Sequence, residues 1–581
     1  MKNPHSGDSR YELPPQAPSP NIQETDFEPP PPAPAISARQ HKQNQQKQNN
    51  DDRHLQAPPA PETYSSSPSS ASANYGSITT SPPPGSAPAA SSLPKSSRTA
   101  LGTSTRSLPP DILRGLLMAL MALDHTAMSL NAWPHGTSIG GENDSTQVTK
   151  WNRPAAYALR TLTHLCAPGF TFLLGMGIVY FGRSRTTTTS LSNTIPWGTV
   201  KLTQHFLVRG IVLILISELM GLVMSAGRFW VFNIVLIALA VDYFLAGVLW
   251  VLLSKMEIWL GYWILNSKVL PEREEDDASE SLLRPRSEQE AEELEVAPDR
   301  KIIRAGNLAW HLCNALLVAL VGVTMWWNIW LSPTGGHCDR EAKPKLGESV
   351  WVRMWFYQVF EGRVLSGFPP LAWISFAIWG LVYGRVALAR SWSAKATSLG
   401  NLAVGLAFGL LFVMTRLFHF GNLSEGCLNM AGIENGTGTQ GTKNQYLASP
   451  AAFFYLIKYP PDVAFWAFTM AGNHLLLAGF SAIPPRIASR VFHVLLVFGT
   501  SALFFFVIHM FIAVGLGQAA IALVGHEVGR PDFMSGRTNG VDQLWAFFIT
   551  WSLLLAILYP LCRWYGGFKR SKGPDSIWRF F

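Results

Sequence analysis

Charge is scarce in this chain. Asp, Glu, Lys and Arg make up 14% of its 581 residues, while 48% are hydrophobic. A soluble domain carries about a quarter charged residues, so this composition excludes an ordinary water-soluble globule. Cysteine is scarce too, with five in the whole chain, which excludes a disulfide-dense secreted scaffold. There is no glycine-rich phosphate loop, no Cys/His zinc spacing and no nucleic-acid module, so neither a bound metal nor a nucleic-acid partner is expected. The net charge of +8 lies in loops and tail, where membrane topology explains it. Nothing apolar precedes residue 111, so no signal peptide is expected.

Long apolar runs are what the chain has. Helix-length segments fall near 111–133, 159–182, 204–226, 229–253, 306–330, 369–389, 398–420, 462–480, 491–516 and 542–562. Each is long enough to cross a bilayer. The expected fold is an all-α polytopic membrane protein of about ten transmembrane helices, nine to eleven, with residues 255–266 an interfacial extension of the fourth. Residues 1–106 differ, with runs such as PPPPAP and SPPPGSAP. Such a Pro/Ser-rich tail cannot bury enough apolar surface to order itself. The transmembrane domain is expected over 107–581, with a flexible acidic loop at 267–304.

Three signals orient the expected bundle. With both termini in the cytosol, Arg183, Arg185, Lys201, Lys255, Arg385, Arg390, Arg486, Arg490, Arg563 and Lys569 fall on the inside. The N-x-S/T sequons at Asn143, Asn422 and Asn435 then fall outside, as glycosylation candidates. Cys338 and Cys427 fall outside as well, where an oxidising lumen favours a disulfide between them. The remaining cysteines, Cys166, Cys313 and Cys562, belong to spans.

The first span, DILRGLLMALMALDHTAMSLNAW, holds Asp111, Arg114, Asp124 and His125. Ionisable groups at membrane depth cost about 2.5–3.5 kcal/mol each on insertion scales, so they pair, line a cavity or do chemistry. Arg114 and His125 are about three turns apart and share a face, with His125 about 16 Å further along. On the second span, His164 falls at the same expected depth, on a face with Thr161, Pro168, Thr171 and Gly175. A lone buried histidine is more often a satisfied packing residue than a catalyst. Two at matched depth, one beside an aspartate, weigh the catalytic reading level with that one.

The ordered strings carry a resemblance. D-x-x-R-G opens the first span (Asp111, Arg114, Gly115), D-H closes it (Asp124, His125), and T-H-x-C-A-P-x-F opens the second. FLVRGIVLILISE, FPPLAWISFAIWGLVYGR, FFYLIKYPPDVAFW, FGTSALFFFVIHMFI and YPLCRWYGGFKR follow in order. Over residues 107–581 the chain resembles the heparan-alpha-glucosaminide N-acetyltransferase catalytic domain family, in its bacterial and fungal branch. The resemblance implies a transmembrane acyltransferase that takes acetyl-CoA or another acyl-CoA from the cytosol and acylates a sugar-like acceptor on the far side. The lysosomal member of that family carries its histidine in the loop before the second span. This chain has His135 there, so His125, His164 and His135 all stay open as the working histidine.

The chemistry needs a base or nucleophile and donors for an oxyanion. Imidazole titrates near neutral pH and suits either role. His125 is the first candidate, with Asp124 or another carboxylate to orient it, and His164 is the second, as partner base or oxyanion donor. Arg114, Asp111, Arg209 and Arg183 are the candidates at the CoA-binding end. His509 is a further cavity candidate. Two other readings stand beside this one: a proton-coupled solute transporter and a non-catalytic membrane scaffold. An endomembrane, vacuole- or lysosome-like or ER, and the plasma membrane both fit, and the chain leaves a homo-oligomer open.

Overall fold

Helices begin where the sequence supplies an N-terminal proline or a capping oxygen. Pro154, Pro370, Pro450 and Pro485 stand in first turns. The side chains of Ser393, Ser449 and Asp462 accept the backbone N–H of Ala396, Ala452 and Phe465. The computed structural model describes residues 108–134, 137, 142–186, 196–267, 300–343, 345–428, 444–531, 536, 538–573, 576 and 578. The tail 1–106, His135, Asn435 and most of the acidic loop lie outside the described residues.

The elements run α1 (Leu108–Ser129), α2 (Pro154–Thr163), α3 (Cys166–Thr186), α4 (Thr199–Met224), β1 (Val231–Asn233), α5 (Leu236–Asn266) and α6 (Arg300–Leu331). Then come α7 (Val350–Arg353), β2 (Val359–Glu361), β3 (Val364–Ser366), α8 (Pro370–Ala389), α9 (Ala394–Phe418) and α10 (Pro450–Phe453). The chain closes with α11 (Val463–Ala482), α12 (Pro485–Val491), α13 (His493–Thr500), α14 (Ala502–Val524), β4 (His526–Glu527), β5 (Asn539–Gly540) and α15 (Leu544–Ser571). Among the described residues, nine helical segments are long and apolar enough to cross a membrane, with α2 and α3 counted as one. This is an all-α polytopic membrane protein. The first helix, α1, is not among the nine. Its Asp111, Arg114, Asp124 and His125 lower its hydropathy, yet most of it is buried inside the bundle.

Three expected spans are redrawn. The fourth begins at Leu236, not near 229, because Val231–Asn233 is extended and pairs in parallel with Val364–Ser366. The Asn233 amide donates to Ser366 Oγ at 2.9 Å and to the Phe368 carbonyl at 2.7 Å, which ties this strand down. Residues 255–266 then continue the same helix, with Trp259, Tyr262 and Trp263 exposed. The second span breaks between Thr163 and Cys166. Pro168 lies in the first turn of α3, where its missing N–H costs nothing. The ninth comes in three pieces, α12 to α14.

At two of the helix crossings, glycines let backbones meet directly. At Gly115 of α1 an added Cβ would sit 1.8 Å from the Leu495 carbonyl oxygen, and at Gly499 it would sit 2.1 Å from that of Asp111. Gly175 of α3 and Gly380 of α8 meet backbone in the same way, at 2.0 Å from Ala377 O and 2.1 Å from Phe172 O. Close backbone approach through small residues is how helices associate where burial from water does not drive them. The arginine-glycine pair of α1 is therefore in part a packing signal.

Three connecting segments, around 144–148, 423–427 and 459, bond to one another. Ser145 N donates to Leu423 O, Val148 N to Cys427 O and Asp144 N to Tyr459 O. Cys338 and Cys427 are disulfide-bonded, the pair expected from loop placement. Gly115→Val should lower the thermal midpoint in detergent by an overpacking cost of about 1–3 kcal/mol or more. Gly177→Ala, on an open helix face, should leave it unchanged or raised. Equal midpoints for Gly115→Val and wild type would contradict the crossing.

Candidate functional site

The site forms where α1, the loop after it, and the α2/α3 break meet. Arg160, in the last turn of α2, is buried at 6% exposure. Its Nη1 donates to both oxygens of Asp124 at 2.9 and 3.1 Å. Its Nε and Nη2 donate to Glu142 at 2.7 to 3.2 Å. Thr163 Oγ1 donates to Asp124 Oδ1 at 3.3 Å. That contact puts residues 124–125 of α1 level with 163–164, the depth match expected from sequence.

The two histidines turn to different partners at that level. His164 caps α2, and its Nε2 lies 3.1 Å from Glu142 Oε2, at ion-pair distance without the alignment of a hydrogen bond. Its ring packs edge-on against Phe465. His125 Nδ1 lies 2.7 Å from His509 Nε2 on α14. His509 is fully buried, and its Nδ1 lies 3.0 Å from the Phe505 carbonyl oxygen. A carbonyl only accepts, so His509 Nδ1 carries the hydrogen. The Nε2 of neutral His509 then accepts, and His125 Nδ1 donates to it. This leaves the lone pair of neutral His125 on Nε2, the arrangement of an oriented general base. The carboxylate of Asp124, a candidate to orient His125, accepts from Arg160, and His509 stands at hydrogen-bond distance from His125 Nδ1.

The rest of the expected residues have their own places. Arg114 Nη1 pairs with Asp111 at 2.7 Å, one turn apart. Arg209 lies over the Tyr243 ring at 5.0 Å, and Arg183 donates to the Leu388 carbonyl at 3.1 Å. Arg185 and Lys201 both cover Trp197, at 4.7 and 4.5 Å. Asn143 is exposed. Asn422 is a correction as a glycosylation site. It is buried at 3% exposure, and its amide donates to Thr415 O and Glu425 Oε1 at 3.0 and 2.8 Å. A glycan there would replace one of these two N–H donors and displace the side chain's packing. Among the described residues no group of His, Cys, Asp and Glu is arranged to hold a metal ion.

Sequence reasoning missed Arg160, Glu142 and Lys458. Arg160 precedes His164 by one helical turn, a signal that was there to read. Glu142 sits in an aperiodic loop and had none. Its backbone carbonyl accepts from Lys458 N at 3.0 Å and Tyr459 N at 3.1 Å, which ties the loop to the KYPPD segment. At the start of α11, burial pushes the Asp462 carboxyl up to about 6, against the pull of Arg416 and two backbone N–H groups. A scan against protein-family models and a search of curated proteins find no match to this chain.

Burial alone would raise the Glu142 carboxyl, but Arg160 and His164 outweigh it and hold it well below the usual range. A depressed carboxylate contributes stability that is full above its unfolded value, near 4.3, and is lost as pH falls through its folded value. Glu142→Gln should therefore destabilise by about 3–5 kcal/mol at pH 7 and flatten the acid limb of the stability profile below about pH 4.5. Thermal unfolding across pH 3–8 checks both; an unchanged acid limb in the variant would refute the assignment.

Proposed function

We propose that this chain is a multi-pass membrane acyltransferase. It moves an acetyl or other acyl group from cytosolic acyl-CoA to a sugar or similar acceptor on the lumenal or extracellular side. The observation that carries this reading is the chain from the Phe505 carbonyl through His509 to His125, which holds one imidazole nitrogen as a base. In the reaction, the acceptor O–H or N–H gives its proton to His125 Nε2. Its oxygen or nitrogen attacks the thioester carbonyl, the C–S bond breaks, and the CoA thiolate leaves and takes up a proton. Arg160, held between two carboxylates, positions α1 against α2 so that His125 stays at the level of the α2/α3 break. The order of strings that resembles the transmembrane acetyltransferase family supports the same reading.

A second reading is favoured by one residue. Asp242 of α5 is fully buried, and neither carboxylate oxygen has a hydrogen-bond partner among the described residues. A lone carboxylate at membrane depth suits a proton-coupled transporter.

Purified protein in nanodiscs, given radiolabelled acetyl-CoA and a panel of amino sugars and sugars, should form acylated product. His125→Ala should lower the rate by about 100-fold or more. His509→Ala should lower it less and shift the pH profile, since it orients the base rather than touching the acceptor. Asp242→Asn should leave transfer intact. Equal rates in wild type and His125→Ala would refute the base assignment. Proton uptake into liposomes that Asp242→Asn abolishes, without acyl transfer, would replace the enzyme with the transporter.

A further inference from the structure

A cavity of about 580 Å³ lies between α4, α5 and α7. None of its lining residues takes part in the site described above. Leu207, Ile211 and Ile214 line it from α4, Phe244 from α5, and Trp351 and Trp355 from α7 and its end. Gly210 and Ala240 line it where the two long helices approach closely: an added Cβ on Gly210 would sit 3.3 Å from the Ala240 carbonyl oxygen. Two bonds hold α7 in place. Leu371 N donates to the Trp355 carbonyl at 3.0 Å, and the Tyr357 hydroxyl donates to the Leu331 carbonyl. Among the described residues, no charged, hydroxyl or amide side chain lines the cavity.

A space without polar lining does not hold water, which needs polar partners. Hydrocarbon would supply the dispersion contacts that a void forfeits. Its source is the bilayer, because α4 and α5 are both of membrane-spanning length and hydropathy. Leu207 and Ile211 line the cavity and are also exposed, at 44% and 47%, so it opens on the lipid-facing side of α4. A chain can enter there sideways without crossing polar surface. The segment between α6 and α8 carries both α7 and Cys338, which puts Trp351 and Trp355 at the disulfide end of the bundle. Both rings are exposed, and exposed tryptophans stand at the head-group level of a bilayer. On the same short helix Arg353 pairs with Glu361 at 2.7 Å, and both remain partly exposed. The mouth thus offers one charge of each sign, as a zwitterionic head group does. We propose that this cavity is a phospholipid site. One acyl chain lies between α4 and α5, and the zwitterionic head rests against Arg353 and Glu361. The binding does not depend on the acyl-transfer reading.

The test uses the full chain in phosphatidylcholine nanodiscs that include a phosphatidylcholine with a diazirine midway along one acyl chain. Photolysis, digestion and mass spectrometry locate the labelled residues. Leu207 and Phe244 should be labelled roughly fivefold more than Leu215 and Leu219, which are exposed on α4 outside the cavity. Val241→Trp and Ile211→Trp, which fill the cavity from α5 and α4, should each remove most of that excess and leave Leu219 labelled as before. Neither should lower the thermal midpoint, since each fills a void. Leu219→Trp should leave the excess intact. A matched phosphatidylglycerol probe should show a smaller excess; an equal or larger one would overturn the zwitterionic assignment. Equal labelling inside and outside the cavity would mean ordinary boundary lipid and overturn the proposal. So would an excess that both filling variants keep. If a photoreactive sterol displaces the phospholipid label at the same residues, the cavity belongs to a sterol and the proposal fails. It fails as well if these residues escape lipid label and cross-links instead join two copies through α7.

Discussion

A guanidinium buried among apolar helices must bring its counter-charges with it, and Arg160 has two. Its five N–H donors form a rigid planar fork, which suits bidentate pairing with carboxylates. Asp124 comes from α1 and Glu142 from the loop that follows, so one side chain joins three segments. Either acid alone would leave the pairing incomplete at a depth where water is not at hand to replace it. The level at which α1 meets α2, and so the position of His125, follows from this pairing.

Glycine sets the remaining geometry. Gly115 lets the backbone of α1 touch α13, and Gly175 with Gly380 does the same for α3 and α8. Gly517 of α14 likewise approaches α1, where an added Cβ would sit 2.5 Å from Ser129 O, and on the same pair of helices His509 meets His125 at hydrogen-bond distance. Packing by small residues and polar pairing thus act together: the first allows the approach, and the second fixes its register.

Much of the bundle is legible in the amino-acid sequence. Runs of apolar residues of bilayer length locate helices whatever their neighbours, because an unpaired backbone in lipid costs several kcal/mol per group. The two histidines at one level are legible too, since rise per residue is constant. Their partners are not. Asp124 is next to His125 in sequence but points toward α2, because successive helical residues face about 100° apart. The stretch 229–235 reads as helix by hydropathy, yet its Asn233 is held by a strand more than a hundred residues later.

The sequence by itself determined the class of the protein and the level of His125 relative to His164, because hydropathy and helical rise are local properties. Only the tertiary structure decided which charge answers which. Arg160 between Asp124 and Glu142 and His509 behind His125 are outcomes of helices brought together over long sequence distances. Pairing energy depends on separation in space, and no local pattern carries that.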